Sequence, residues 1–137
     1  MKIFCKVLKE HIPYFFWIGF YFNRGSLLEL GPSMGPPACA QIPLTGVCGR
    51  AVKTKKPIIV PDVDRFPGHI ACDPRSRSEI AIPLLNERGE VVAVLDVDSD
   101  KVESFDEVDL KWLEMIIGEV FSSGDLDRII DCRAKDV

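Results

Sequence analysis

The stretch Glu79–Ser99 reads EIAIPLLNERGEVVAVLDVDS. Two apolar runs flank Asn86-Glu-Arg-Gly89, a turn signal, so the stretch is a hairpin with strands over 79–85 and 90–99. Alternate side chains of a strand share a face. Val91, Ala93, Leu95 and Val97 give the second strand its core face, matched by Ile80, Ile82 and Leu84 on the first. Asp96 and Asp98 face the other way with Val92 and Val94, as do Glu79, Ala81 and Pro83. A four-residue loop over 86–89 sets Glu79 opposite Asp96, and a two-residue Arg88-Gly89 turn sets it opposite Asp98. Either register gathers three carboxylates on one face, and a loop of odd length would break the inference.

Clustered acids repel one another and raise pKa values. Such a group holds a cation, holds a proton for general acid catalysis, or is a solvated strand end. That face offers no neighbouring Lys or Arg to neutralise it, which favours function.

Outward from the hairpin, residues 1–12 read as an amphipathic helix with Ile3, Phe4, Val7 and Leu8 on one stripe, stopped by Pro13. Tyr14–Phe22 and Ser26–Leu30 read as strands around an Asn23-Arg-Gly25 turn. Residues 31–45, rich in Gly and Pro, read as a loop. Gly46–Thr54 is a short helix, Ile58–Val60 a short strand and Pro61–Arg77 a second long loop. Long loops in a small domain are usually functional. Ser104 and Glu107 have capping-box spacing ahead of a helix over 105–122. Its stripe of Val108, Trp112, Ile116 and Val120, with Leu113, Ile117 and Phe121 beside it, is wide enough for a sheet and a partner chain. The last dozen residues read as a loosely held tail or a short extra turn. This order of elements gives an α+β fold with a largely antiparallel sheet.

The chain has 137 residues, the size of one domain, with 47% apolar and 28% charged residues. Its net charge of −4 argues against a nucleic-acid partner. Pro13 and Gly19 interrupt the longest apolar stretch, 12–22, which is too short for a membrane span, and Lys6, Lys9, Glu10 and His11 break any signal-peptide core. A cytoplasmic protein is expected.

Five cysteines, an odd number, exclude a fully paired framework within one chain. Cys5 and Cys132 read as passive, one packed and one exposed. Cys72 lies in a loop near Arg75 and Arg77, and positive charge favours the nucleophilic thiolate. Cys39 lies in the other loop, and Cys48 falls in the first turn of a helix, where the dipole also favours thiolate. Cys39, Cys48, His69 and Cys72 are also four zinc donors, but there is no Cys-x-x-Cys knuckle and the spacing is irregular. No P-loop, Rossmann fingerprint or Gly-x-Ser-x-Gly elbow supports a cofactor-dependent or hydrolytic reading.

Several strings then acquire a common meaning: Trp17-Ile-Gly-Phe-Tyr21, Gly35-Pro-Pro-Ala-Cys39, Gly46-Val-Cys48-Gly, Val60-Pro-Asp-Val, Phe66-Pro-Gly-His-Ile-Ala-Cys-Asp73, Ser76-Arg-Ser-Glu79 and Leu95-Asp96-Val-Asp98. Over about 14–121 the chain resembles the GAF-domain free methionine-(R)-sulfoxide reductases. The resemblance implies a single GAF domain over 1–137. It would have a central five- to six-stranded, largely antiparallel sheet, helices packed on one face, and long loops forming a pocket on the other. It implies reduction of free methionine-(R)-sulfoxide with no bound cofactor and thioredoxin as external reductant. Cys72 matches the catalytic cysteine, Cys39 the resolving cysteine, and Cys48 a third that contributes a secondary exchange. Glu79, Asp96 and Asp98 would hold the substrate ammonium and help protonate the sulfoxide oxygen. Trp17 and Tyr21, on one strand face, would wall the methyl group, and the backbone around Ile70, Ala71 and Cys72 would receive the carboxylate. The segment before Tyr14 is short for the family, which bears on a homodimer more than on chemistry. The competing readings are a ligand-binding GAF sensor without turnover and the Cys/His zinc site.

Overall fold

The hairpin loop has an odd length, and the strands restore the expected alternation. In the computed structural model, which describes residues 1–121 and 125–126, Asn86 N–H donates to Glu90 O and Gly89 N–H to Asn86 O, so the loop is Glu87-Arg88-Gly89. Gly89 takes φ +77°, a conformation glycine adopts without steric cost. The pairing then slips by one residue between Leu84, opposite Ala93, and Leu85, opposite Val91, which leaves Val92 as the extra residue of a β-bulge. Beyond it Glu79 stands opposite Asp98, one of the two expected registers. The bulge corrects two side chains: Val92 joins Ala93, Leu95 and Val97 on one face, and Val91 moves to the face of Val94.

The elements in order are α1 (Lys2–His11), β1 (Trp17–Asn23), β2 (Leu27–Met34), β3 (Gln41–Pro43), α2 (Val47–Thr54), β4 (Ile58–Val60), β5 (Ser78–Leu85), β6 (Val91–Ser99) and α3 (Glu107–Val120), with a 3-10 turn at Val63–Arg65. They form one six-stranded antiparallel sheet in the order β3-β2-β1-β6-β5-β4. The α+β fold is as expected. The stretch read as a loop over 31–45 holds the end of β2 and all of β3.

α1 and α3 cover one face of the sheet. Phe4, Cys5 and Leu8 of α1 and Leu110 and Leu113 of α3 pack there on Ile18, Phe20, Ile80, Ile82, Leu95 and Val97. Burying each large side chain stabilises the fold by about 1.5–3 kcal/mol. The α1 stripe turns by one position: Cys5 is buried, whereas Ile3 and Val7 are exposed. On α3, Val108, Trp112 and Val120 are exposed, while Ile116, Ile117 and Phe121 pack partly against the core. The α3 capping box is Asp106 with Asp109 rather than Ser104 with Glu107. Ser104 instead donates its hydroxyl to Ser99 Oγ at 2.6 Å, which places it before the cap.

α2 departs from the expected arrangement. It packs on the opposite face, where Val47, Cys48 and Ala51 join Trp17, Tyr21, Ala81 and Val94. The long loops lie on that face too. No helix among the described residues is long and apolar enough to cross a membrane. Cys132 and the expected tail, apart from Leu126, lie outside the described residues.

Candidate active site

Three cross-strand rows build the floor of a pocket. Trp17, Asp98 and Glu79 lie side by side on β1, β6 and β5; Gly19, Asp96 and Ala81 form the next row; Tyr21, Val94 and Pro83 form the third. The middle row is small on both sides of Asp96. A Cβ on Gly19 would stand 2.3 Å from the Trp17 ring, so the missing side chain lets the indole lie across the strand. Trp17 and Tyr21 are both buried, with ring centroids 6.0 Å apart, and both line the pocket. Gly19 carried no sequence signal beyond its place between the two aromatics.

Glu79 and Asp96 are each 6% exposed, and Asp98 is half-buried. Loss of water raises all three carboxyls well above the ordinary range. Repulsion adds to this, from Asp98 on Glu79, from Glu79 on Asp96, and from Asp96 and then Asp73 on Asp98. A hydrogen bond between Glu79 and Asp96 favours the ionised form of Glu79 and the protonated form of Asp96. The net direction for both is upward, so the pair favours holding a proton. Its Oδ1 is buried without a hydrogen-bond partner. The residues lining the pocket include no Lys or Arg, as the sequence indicated.

Cys48 reaches the same floor from the start of α2, and its Sγ and one oxygen each of Glu79 and Asp96 lie within 4.8 Å of one another. Burial, followed by the neighbouring carboxylates, pushes its thiol well above the ordinary range. The helix N-terminus, which favours thiolate, does not offset this rise. Cys5 is packed as expected beneath α1, and burial pushes its pKa up to about 11.

The two long loops meet above this floor in a Cys39–Cys72 disulfide with Cα atoms 5.4 Å apart. Tyr21 OH donates to Cys39 O at 2.9 Å, anchoring one loop to the sheet. The arginines near Cys72 serve carboxylates rather than its sulfur. Arg75 pairs with Asp73 at 2.8 Å and stacks over Phe16, and Arg77 pairs with Asp64 at 3.7 Å. Cys72 N–H donates to Ile70 O at 3.1 Å, so it is not free for a ligand. The N–H groups of Ile70 and Ala71 donate to no protein acceptor among the described residues. Ile70 lines the pocket, whereas the Ala71 side chain is exposed. His69 also lines it, and burial holds its ring below the usual histidine range. The disulfide takes Cys39 and Cys72 out of the four-donor zinc set. Phe16 and Ile42 also line the pocket, and nothing in the sequence marks them, since only the assembled fold brings them there.

The pocket thus combines a disulfide, three carboxyls pushed toward the protonated form and an aromatic wall. Residues 4–120 match the family model described as GAF domain. The chain is 52% identical over 112 residues to GAF domain-containing protein A of Dictyostelium discoideum, covering 80% of this chain and 70% of that one. It is 38% identical over 115 residues to the free methionine-R-sulfoxide reductase of Escherichia coli, covering 83% and 69%. Among solved structures, the free methionine-R-sulfoxide reductase of Neisseria meningitidis, in complex with its substrate, superposes with a TM-score of 0.79 at 40% identity, over 99% of this chain and 78% of that one.

Proposed function

The chain belongs to the GAF-domain family of free methionine-R-sulfoxide reductases, and from that premise we propose that it reduces free methionine-(R)-sulfoxide to methionine. The observation that carries the reading is the Cys39–Cys72 disulfide set over a floor of buried, clustered carboxyls.

In the reduced enzyme the Cys72 thiolate attacks the sulfoxide sulfur. The oxygen takes a proton from the Glu79–Asp96 pair, methionine departs, and Cys72 is left as a sulfenic acid. Cys39 then attacks the Cys72 sulfur, and water leaves as the disulfide forms. Thioredoxin returns the pair to two thiols by exchange and is itself oxidised. Cys39 and Cys72 are both partly exposed, which suits attack by an external dithiol. Cys48, on the floor, is the secondary exchange thiol.

Trp17 and Tyr21 pack the methyl group. Glu79 and Asp98 neutralise the ammonium, which a methionine within a peptide lacks, and this selects the free amino acid. The N–H groups of Ile70 and Ala71 receive the carboxylate. The exposed apolar residues on α1 and α3 fit a homodimer.

The test is NADPH consumption with free methionine-(R)-sulfoxide, thioredoxin and thioredoxin reductase. Turnover that disappears in Cys72→Ser supports the reading. No turnover, or turnover undiminished by that substitution, overturns it, and ligand binding without turnover leaves the sensor reading in its place.

A further inference from the structure

The pocket floor holds a second kind of binding chemistry. Cys48 comes from α2, Glu79 from β5 and Asp96 from β6, and all three are buried with their donor atoms within 4.8 Å of one another. Asp96 Oδ1 supplies a separate observation: it is a buried acceptor with no hydrogen-bond partner. Such a group costs about 1–3 kcal/mol, and an electron-pair acceptor placed beside it relieves that cost. No Lys or Arg lines the pocket to do so.

The geometry points to a divalent metal site for Zn²⁺ or a similar borderline ion. The Cys48 thiolate and one oxygen each of Glu79 and Asp96 would be the ligands, with the fourth position open to the pocket, so that a bound ion excludes the sulfoxide substrate. One sulfur with two carboxylate oxygens suits zinc or cobalt better than magnesium or calcium, which take oxygen alone. Metal–donor lengths of about 2.0–2.3 Å put tetrahedral donors roughly 3.3–3.8 Å apart, so side-chain rotation has to draw these three, now within 4.8 Å of one another, in by about 1.5 Å at most. On binding, the ligands release their protons to solvent, and the resulting three negative charges are balanced in part by the two positive charges of the ion. No electron is transferred. This set differs from Cys39, Cys48, His69 and Cys72, because it needs neither sulfur of the disulfide.

Exclusion of substrate rests on the function proposed above, whereas metal binding does not. The binding test uses the oxidised protein, in which Cys39 and Cys72 cannot ligate. Co²⁺ alone is titrated in as the spectroscopic probe. The expected result is one Co²⁺ per chain, a thiolate-to-cobalt charge-transfer band in the near ultraviolet, and displacement of the ion by Zn²⁺. Cys48→Ser should remove the band. Asp96→Asn should weaken binding by about tenfold or more. Cys5→Ser and Cys132→Ser should leave both unchanged. Far-ultraviolet circular dichroism checks that each variant is folded.

Absence of the band, or its survival in folded Cys48→Ser, overturns the site. So does its loss in Cys5→Ser or Cys132→Ser with retention in Cys48→Ser. Zn²⁺ added to the turnover assay should inhibit competitively with sulfoxide, in an arm with reductant supplied in excess of the metal. Turnover without a cobalt band removes the metal site and leaves the reductase reading. A cobalt band without turnover does the reverse, and both together without competition overturn the exclusion of substrate.

Discussion

The Tyr21 hydroxyl donates a 2.9 Å hydrogen bond to the carbonyl oxygen of Cys39, so one residue of the aromatic wall also holds the loop that carries half of the disulfide. Tyr21→Phe keeps the ring and deletes the bond. A net hydrogen bond contributes about 0.5–1.5 kcal/mol, a factor of about two to ten in a rate or equilibrium that depends on it. Disulfide closure after a single turnover should slow by that factor, while the amount of methionine released in that turnover stays the same. Rapid quench with thiol counting measures both, and equal slowing of both would show that the hydroxyl acts on substrate instead.

Replacing Cys39 separates oxidation from resolution. Cys39→Ser should release about one methionine per chain and then stall, since the sulfenic acid on Cys72 loses its partner. A sulfenic-acid-specific probe should label the stalled protein. Loss of the first turnover would reverse the roles given to Cys39 and Cys72.

The carboxyl cluster sets a pH dependence of stability. The folded state raises Glu79, Asp96 and Asp98, so it binds protons that the unfolded chain releases near pH 4. Their contribution to stability is present below that pH and is lost as pH rises through the folded-state values. Urea midpoints should therefore fall between pH 5 and pH 8. Asp96→Asn should flatten the profile and raise the pH 8 midpoint relative to the parent, because it removes a group whose ionisation burial and Glu79 oppose. The same variant should lose about 10²-fold in turnover, as expected for a general acid. A midpoint that rises from pH 5 to pH 8 in the parent protein would contradict this account.

Gly19 is required by its neighbour. In Gly19→Ala the new methyl meets the Trp17 ring at 2.3 Å, and the indole has to move. Overpacking of this kind costs about 1–3 kcal/mol. Thermal unfolding should report that loss, and KM should rise more than kcat falls, because the wall shifts while the sulfurs do not.

Much of this was legible in the sequence because it depends on short-range alternation. Trp17 and Tyr21 share a face, and Asp96 and Asp98 share a face, for the same pleat reason, and the structure keeps both pairs. Cys48 stands on a helix, as the sequence indicates, but its surroundings push the thiol up rather than down. The sequence exposed the helix dipole, whereas the carboxylates that oppose it arrive from β5 and β6 through folding. Arg75 and Arg77 were read by proximity to Cys72 along the chain, but in space Asp73 and Asp64 engage them. The side of the sheet taken by α2 was not legible, since Gly46–Thr54 is too short for its apolar pattern to name the face it meets. Ser104 and Glu107 match the capping spacing as well as Asp106 and Asp109 do, and the Ser99–Ser104 hydrogen bond decides between them.

The extra residue at Val92 decides which way the acids point. Asn86 and Glu90 close the loop, and pairing that ran on from Leu85 and Val91 without the bulge would set Asp96 opposite Ile80 and turn both Asp96 and Asp98 toward the helices. Change inside Glu87-Arg88-Gly89 leaves that pairing intact, whereas change at the bulge does not, so one irregular residue near the turn is tied to the chemistry of the pocket.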